Sequence, residues 1–140
     1  MRTGSVTDRL VHGVLDTSVV IYIAAVPEEN LPLHAAISAV TLAELAQGVH
    51  LARDERARAA RVERLQLVEA MYRAPLPFDD GCARRYGSLV ALALAAGRQP
   101  KLRRIDLMIA ATAANRDLPL FTRNPRDFAG LERAVLVVPA

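Results

Sequence analysis

Residues 13–24 read GVLDTSVVIYIA, an apolar run with a single carboxylate, Asp16, set inside it. Val14, Leu15, Val19, Val20 and Ile21 have the branched, apolar character of a strand covered on both faces, where an isolated charge is strongly disfavoured. Asp16 must therefore find compensation or lie where the strand ends. The first strand is expected at residues 14–16, with the carboxylate at its carboxyl end.

The chain around that strand has the size and composition of one domain. Its 140 residues, 52% of them hydrophobic, can bury one core, and no Gly/Ser/Pro-rich linker divides them. The apolar runs at 19–26, 89–96 and 135–139 fall far short of the roughly 18 to 20 residues that a membrane span needs. The N-terminus lacks the apolar stretch of a signal peptide, so a soluble cytoplasmic protein with no membrane partner is expected. Residues 1–13 are polar or weakly apolar without a period and are expected to form a partly disordered leader, with Leu10 and Val11 leading into the strand.

Cys82 is the only cysteine, which excludes an intrachain disulfide and a thiolate-rich zinc site. His12, His34 and His50 share no metal-binding spacing, so any metal would be held by hard oxygen ligands. The net charge is +3, and 17 of the 18 basic residues are arginine, Lys101 being the exception. Arginine suits bidentate phosphate contacts, although a codon bias towards Ala and Arg accounts for the same composition.

Outward from the first strand, HAAISAV (34–40) is a short apolar strand, and TLAELAQGVHLA (41–52) begins a helix at once. Further helices are expected at 55–72, with Ala59, Val62, Leu65, Val68 and Met71 at helical spacing, and at 80–96, closed by Gly97. Between them APLPF (74–78) is a candidate edge strand, since its prolines exclude a central place. The basic loop GRQPKLRR (97–104) leads into the helix IDLMIAATAANR (105–116), and LPLFT (118–122) and AVLVVP (134–139) are the last strands. Strands alternating with helices predict an α/β fold: a parallel sheet of about five strands between helical layers, with ligands at the carboxyl ends of the strands.

The acids fall on that edge. Asp16 ends the first strand, Glu44 lies in the first turn after the second, Asp106 opens the helix after the basic loop, and Asn124 and Asp127 follow the fourth strand. Carboxylates this close repel one another, so that either their pKa values rise or a divalent cation binds. Mg²⁺ or Mn²⁺ suits such oxygen ligands, and the expected chemistry is phosphodiester hydrolysis by a metal-activated water. Setting the four acids aside leaves 18 basic residues against 11 acidic ones. Lys101, Arg103 and Arg104 are the expected phosphate contacts.

These segments together resemble the PIN domain, and specifically the VapC ribonuclease toxins of type II toxin–antitoxin systems. The resemblance is carried by VLDTSVVI (14–21), AVTLAELAQGV (39–49), RRIDLMIAATAA (103–114) and LFTRNPRDF (120–128), four motifs in the family's order and spacing. It implies a three-layer α/β/α PIN domain over residues 14–140 and a metal-dependent endoribonuclease acting on structured RNA, commonly tRNA or rRNA. It further implies a cognate VapB-type antitoxin whose C-terminal segment enters the acidic groove, and a homodimer or a larger toxin–antitoxin assembly. By motif, Asp16, Glu44, Asp106 and Asp127 become the catalytic quartet. Asp16 and Asp106 would hold the metal, Glu44 and Asp127 would reach it through water, and Thr17, Ser18, Thr122 and Asn124 would orient ligands or waters. The leader before Val14 is longer than is usual in the family.

Each residue has a plainer explanation. Thr41 and Glu44 form a capping box, Asp106 suits a helix start, and Asn124 and Asp127 suit a turn with Pro125. LDTS also resembles the triplet of aspartic proteases, but those are all-β and need a second copy of it. A PIN-like binding module without turnover would have lost acids, and all four are present.

Overall fold

The computed structural model describes residues 9–140, so the leader expected over residues 1–13 lies mostly outside them. Strand β1 spans His12–Leu15 and is the inner strand around which the sheet is built. It pairs in parallel with β2 (His34–Ala36) on one side and β3 (Leu120–Thr122) on the other, and β3 pairs in parallel with β4 (Val137–Pro139). The order is β2-β1-β3-β4. The strand begins two residues before Val14 and stops at Leu15, which puts Asp16 one residue beyond the ladder.

The expected fifth strand is reduced to a single bridge. Leu76 exchanges backbone hydrogen bonds with Ile37 and Ala39 beside the end of β2, and pairing goes no further. Pro75 and Pro77 flank Leu76 and carry no N–H, so neither can extend a ladder. Among the described residues the sheet therefore has four strands.

Side-chain alternation divides the core into two layers. Val14 and Leu120, opposite one another in register, join the cluster of α4 (Asp80–Ala95) and α5 (Arg104–Asn115). Leu15 and Phe121, the next pair, join α1 (Thr17–Ile21), α2 (Ala39–His50) and α3 (Glu55–Met71) on the other face. Helix α5 buries Leu107, Ile109 and a run of alanines, and those small residues let α4 lie close against it. The result is helix, sheet, helix.

Two local departures from expectation have clear causes. Val19, Val20 and Ile21, β-branched as they are, form the short helix α1: strand pairing ends at Leu15, and burial among α2 and α3 outweighs their strand propensity. Helix α2 starts at Ala39, not Thr41. Its N-cap is Ser38, whose hydroxyl accepts from the Val40 N–H at 3.0 Å and contacts the Thr112 hydroxyl at 3.1 Å. Thr112 gives its own proton to the Met108 carbonyl, so Ser38 is the donor to Thr112 and ties α2 to α5. Thr41 thus lies inside the helix, and the capping-box explanation of Glu44 falls away.

Because all four strands run the same way, the segments leaving β1, β2 and β3 open on one edge of the sheet. That edge carries the acids.

Candidate active site

Asp16 is 5% exposed, and its compensation is visible. The hydroxyls of Ser18 and Thr122 both donate to Oδ2 at 2.8 Å. Their protons have little choice of direction, because the Ser18 oxygen accepts from the Arg123 N–H at 3.2 Å and the Thr122 oxygen from the Asn124 N–H at 3.0 Å. Asp16 also occupies the N-cap position of α1, yet its side chain makes no cap bond. The carboxylate is turned to the hydroxyls beyond β3 instead. Both donors meet Oδ2, so that oxygen is satisfied although the residue is buried.

Asp127 arrives on a 3₁₀ turn, Pro125–Phe128, fixed from below by Phe128, which is fully buried against the α4–α5 core. Arg103 donates to Asp127 Oδ1 at 2.7 Å and reaches Asp106 Oδ2 at 3.7 Å. Its Nη1 is engaged within the acidic cluster, which gives Arg103 a counter-ion role beside the phosphate contact expected of it. Lys101 and Arg104 stand beside it along a surface groove of about 470 Å³ that Glu44 and Asp106 also line.

The electrostatic signature is at Asp106, whose carboxyl is pushed up to about 6. Burial is the largest cause, the charges of Asp16 and Asp127 follow, Arg103 opposes them, and Glu44 adds a further push. Acids from three other segments therefore act on Asp106. Glu44, on α2, has Oε1 buried with no hydrogen-bond partner. A buried carboxylate oxygen without a donor and a neighbouring acid driven towards protonation are both relieved by a divalent cation, and the all-oxygen donor set fits Mg²⁺ or Mn²⁺. Among the described residues no three Asp, Glu, His or Cys side chains are gathered tightly enough to enclose an ion unaided.

The supporting residues divide. Ser18 and Thr122 stand on Asp16. Thr17 does not: its hydroxyl lies 3.1 Å from that of Thr41 in the interior, joining α1 to α2 behind the site. Asn124 meets the cluster through its backbone N–H, with its side chain exposed. Thr41 and the counter-ion role of Arg103 were not visible in the chain's pattern, since one sits under a capping motif and the other within a run of basic residues.

With this arrangement established, residues 13–133 match the PIN domain family model, and the chain belongs to that family. Within it, the chain is 41% identical over 128 residues to Ribonuclease VapC5 of Mycobacterium tuberculosis, covering 89% of this chain and 91% of that protein. The crystal structure of VapBC-5 from the same organism, a member of the VapBC family of toxin–antitoxin systems, superposes with a TM-score of 0.77 at 41% identity, covering 92% of this chain and 97% of that one. DNA-bound VapBC from Salmonella typhimurium superposes with a TM-score of 0.72 at 25% identity, covering 93% and 98%. The three-layer architecture is shared throughout.

Proposed function

We propose that the protein is a divalent-metal-dependent endoribonuclease toxin of the VapC type, hydrolysing phosphodiester bonds in structured RNA such as tRNA or rRNA. The observation that carries this reading is the perturbation of Asp106, raised to about 6 by burial together with the charges of Asp16, Asp127 and Glu44. Perturbation by several like charges at a sheet's carboxyl edge marks a functional site more than a structural one.

Asp16 and Asp106 would hold Mg²⁺ or Mn²⁺ directly, with Glu44 and Asp127 acting through water. The chemistry such a cation supplies when bound is activation of water for in-line attack and neutralisation of charge at the phosphate. Ser18 and Thr122 fix the orientation of the Asp16 carboxylate. Arg103 holds Asp127 and moderates the repulsion between Asp127 and Asp106. Lys101 and Arg104, in the groove that leads to Asp106, are placed to take the flanking phosphates.

A VapB-type antitoxin is the proposed partner, entering the acidic groove with its C-terminal segment, and the likeness to VapBC complexes supports it. A homodimer is proposed through α3, which leaves Leu67 and Met71 exposed to solvent. No helix among the described residues is long and apolar enough to cross a membrane, which agrees with action in the cytoplasm. The deciding experiment incubates antitoxin-free protein with total RNA. Discrete cuts abolished by EDTA and by Asp16→Ala or Asp106→Asn are expected, and full cleavage by either variant would overturn the proposal.

A further inference from the structure

Beside Glu44 lies a second groove, of about 350 Å³, lined by Thr17, Tyr22, Glu44, Gly48, Arg61 and Arg64. It is neither the acidic cluster nor the Lys101–Arg104 surface, and it shares only Glu44 with them. Its polar character comes from two arginines of α3. Arg61 donates to the Gly48 carbonyl at 2.6 Å, which fastens α3 to the end of α2. Arg64 lines the same wall one helical turn onward.

The other wall is an aromatic ring. Of three tyrosines and three phenylalanines, Tyr22 alone is exposed, at 56%. It caps the carboxyl end of α1, and the Arg123 guanidinium lies 4.9 Å from its ring centroid. Both members of the pair are anchored to the group that orients Asp16. The Tyr22 N–H donates to the Ser18 carbonyl at 3.2 Å, and the Arg123 N–H donates to the Ser18 hydroxyl at 3.2 Å. Tyr22, backed by Arg123, is therefore held at a fixed offset from the acidic cluster and lines a groove that also carries Arg61 and Arg64.

We propose that this groove receives an unpaired nucleotide next to the scissile phosphate, its base stacked on Tyr22 and its phosphate on Arg64. Unpaired bases are commonly recognised by stacking on aromatic rings and guanidinium planes, and phosphates by arginine. With Lys101 and Arg104 in the neighbouring groove that also meets Glu44, the RNA strand would pass the acids between two basic walls. This assignment rests on the ribonuclease proposal and deepens it, by making single-stranded character beside the cut a requirement.

The test uses the whole protein in EDTA, so that binding is read without turnover. The probe is a short single-stranded oligoribonucleotide of mixed sequence carrying 2-aminopurine, whose fluorescence falls on stacking. Tyr22→Ala should weaken binding about tenfold and abolish the quenching, whereas Tyr22→Phe and Tyr22→Trp should keep both. Arg64→Gln should weaken binding and lower the salt dependence by about one ion. Wild-type binding with unchanged affinity in Tyr22→Ala and Arg64→Gln overturns the groove assignment and leaves the ribonuclease proposal standing. Wild type that neither binds the oligomer nor cuts RNA with Mg²⁺ restored overturns both. Should Tyr22→Ala bind RNA normally yet lose a co-purifying antitoxin, the groove belongs to a protein partner and the nucleotide assignment is wrong.

Discussion

Thr122 donates its hydroxyl to Asp16 Oδ2 at 2.8 Å across 106 residues of chain, and this bond joins the ends of the two inner strands at the site. Its direction is set by the Asn124 N–H, which occupies a lone pair of the Thr122 oxygen. Replacing Thr122 with Val keeps the shape and removes the donor. The variant should cleave RNA roughly 10- to 100-fold more slowly, the range for an outer ligand-orienting bond, while its thermal melt shifts little because Ser18 still serves Asp16. Steady-state kinetics and a melting curve on the same sample check both halves.

Asp106 sets the pH behaviour of the metal-free protein. Its folded pKa of about 6 lies above the ordinary value of 3.8, so between the two the folded state binds more protons than the unfolded one. Its contribution to stability is fully present below 3.8 and is lost as the pH rises through about 6. Asp106→Asn removes the ionisation and should raise the melting temperature at pH 7.5 by roughly 2–6 °C while abolishing cleavage. Calorimetry at pH 5 and 7.5 should show the gain shrinking at the lower pH.

The same repulsion predicts a response to cations. Millimolar Mn²⁺ or Mg²⁺ should raise the melting temperature of the wild type at pH 7.5, since binding to the folded state alone stabilises it. The shift should vanish with EDTA, and Asp106→Asn and Asp16→Asn should show little of it. Equal shifts in all three proteins would place the cation elsewhere.

Arg103 stands between Asp127 and Asp106, at 2.7 and 3.7 Å. Arg103→Gln removes the one charge that lowers the Asp106 pKa. The acidic limb of the pH–rate profile should move to higher pH, and stability should change by no more than about 1 kcal/mol because the pair is partly exposed. A profile that keeps its position and loses amplitude evenly would assign Arg103 to the substrate phosphate after all.

Gly13 tests the scaffold. A Cβ there would lie 2.4 Å from Phe121 Cε1 and 3.1 Å from Pro32 Cγ, a contact no real side chain makes. Gly13→Ala must push the Phe121 ring out of its place in the α1–α3 layer, with an expected loss of about 1–3 kcal/mol in denaturant melts. Activity at low temperature should survive in the folded fraction.

The parallel order was legible in the alternation of strands with helices, and the acids were legible as a set: Asp16 stands out in an apolar run, whereas Glu44, Asp106 and Asp127 singly have plainer explanations and gain meaning only on segments that leave the same sheet edge. What sequence could not show was decided by contacts distant in the chain. Ser38 displaced Thr41 as the cap of α2 because it also bonds Thr112. Val19 to Ile21 became helix because the sheet had no strand to pair with them there. Arg103 turned inward because Asp127, 24 residues on, is brought within reach. Tyr22 showed no motif, and its place beside Arg123 depends on β3 lying next to β1.

The β1–β3 pairing has a consequence for how a cell makes this protein. The ribosome releases Asp16 early, but the hydroxyl that steadies it lies 106 residues further on, and the turn bearing Asp127 and the guanidinium over Tyr22 belong to the same later stretch. Until that stretch emerges and slides in beside the first strand, the carboxylate lacks the partner that β3 brings to it. The centre is thus put together late, from pieces that leave the ribosome far apart in time.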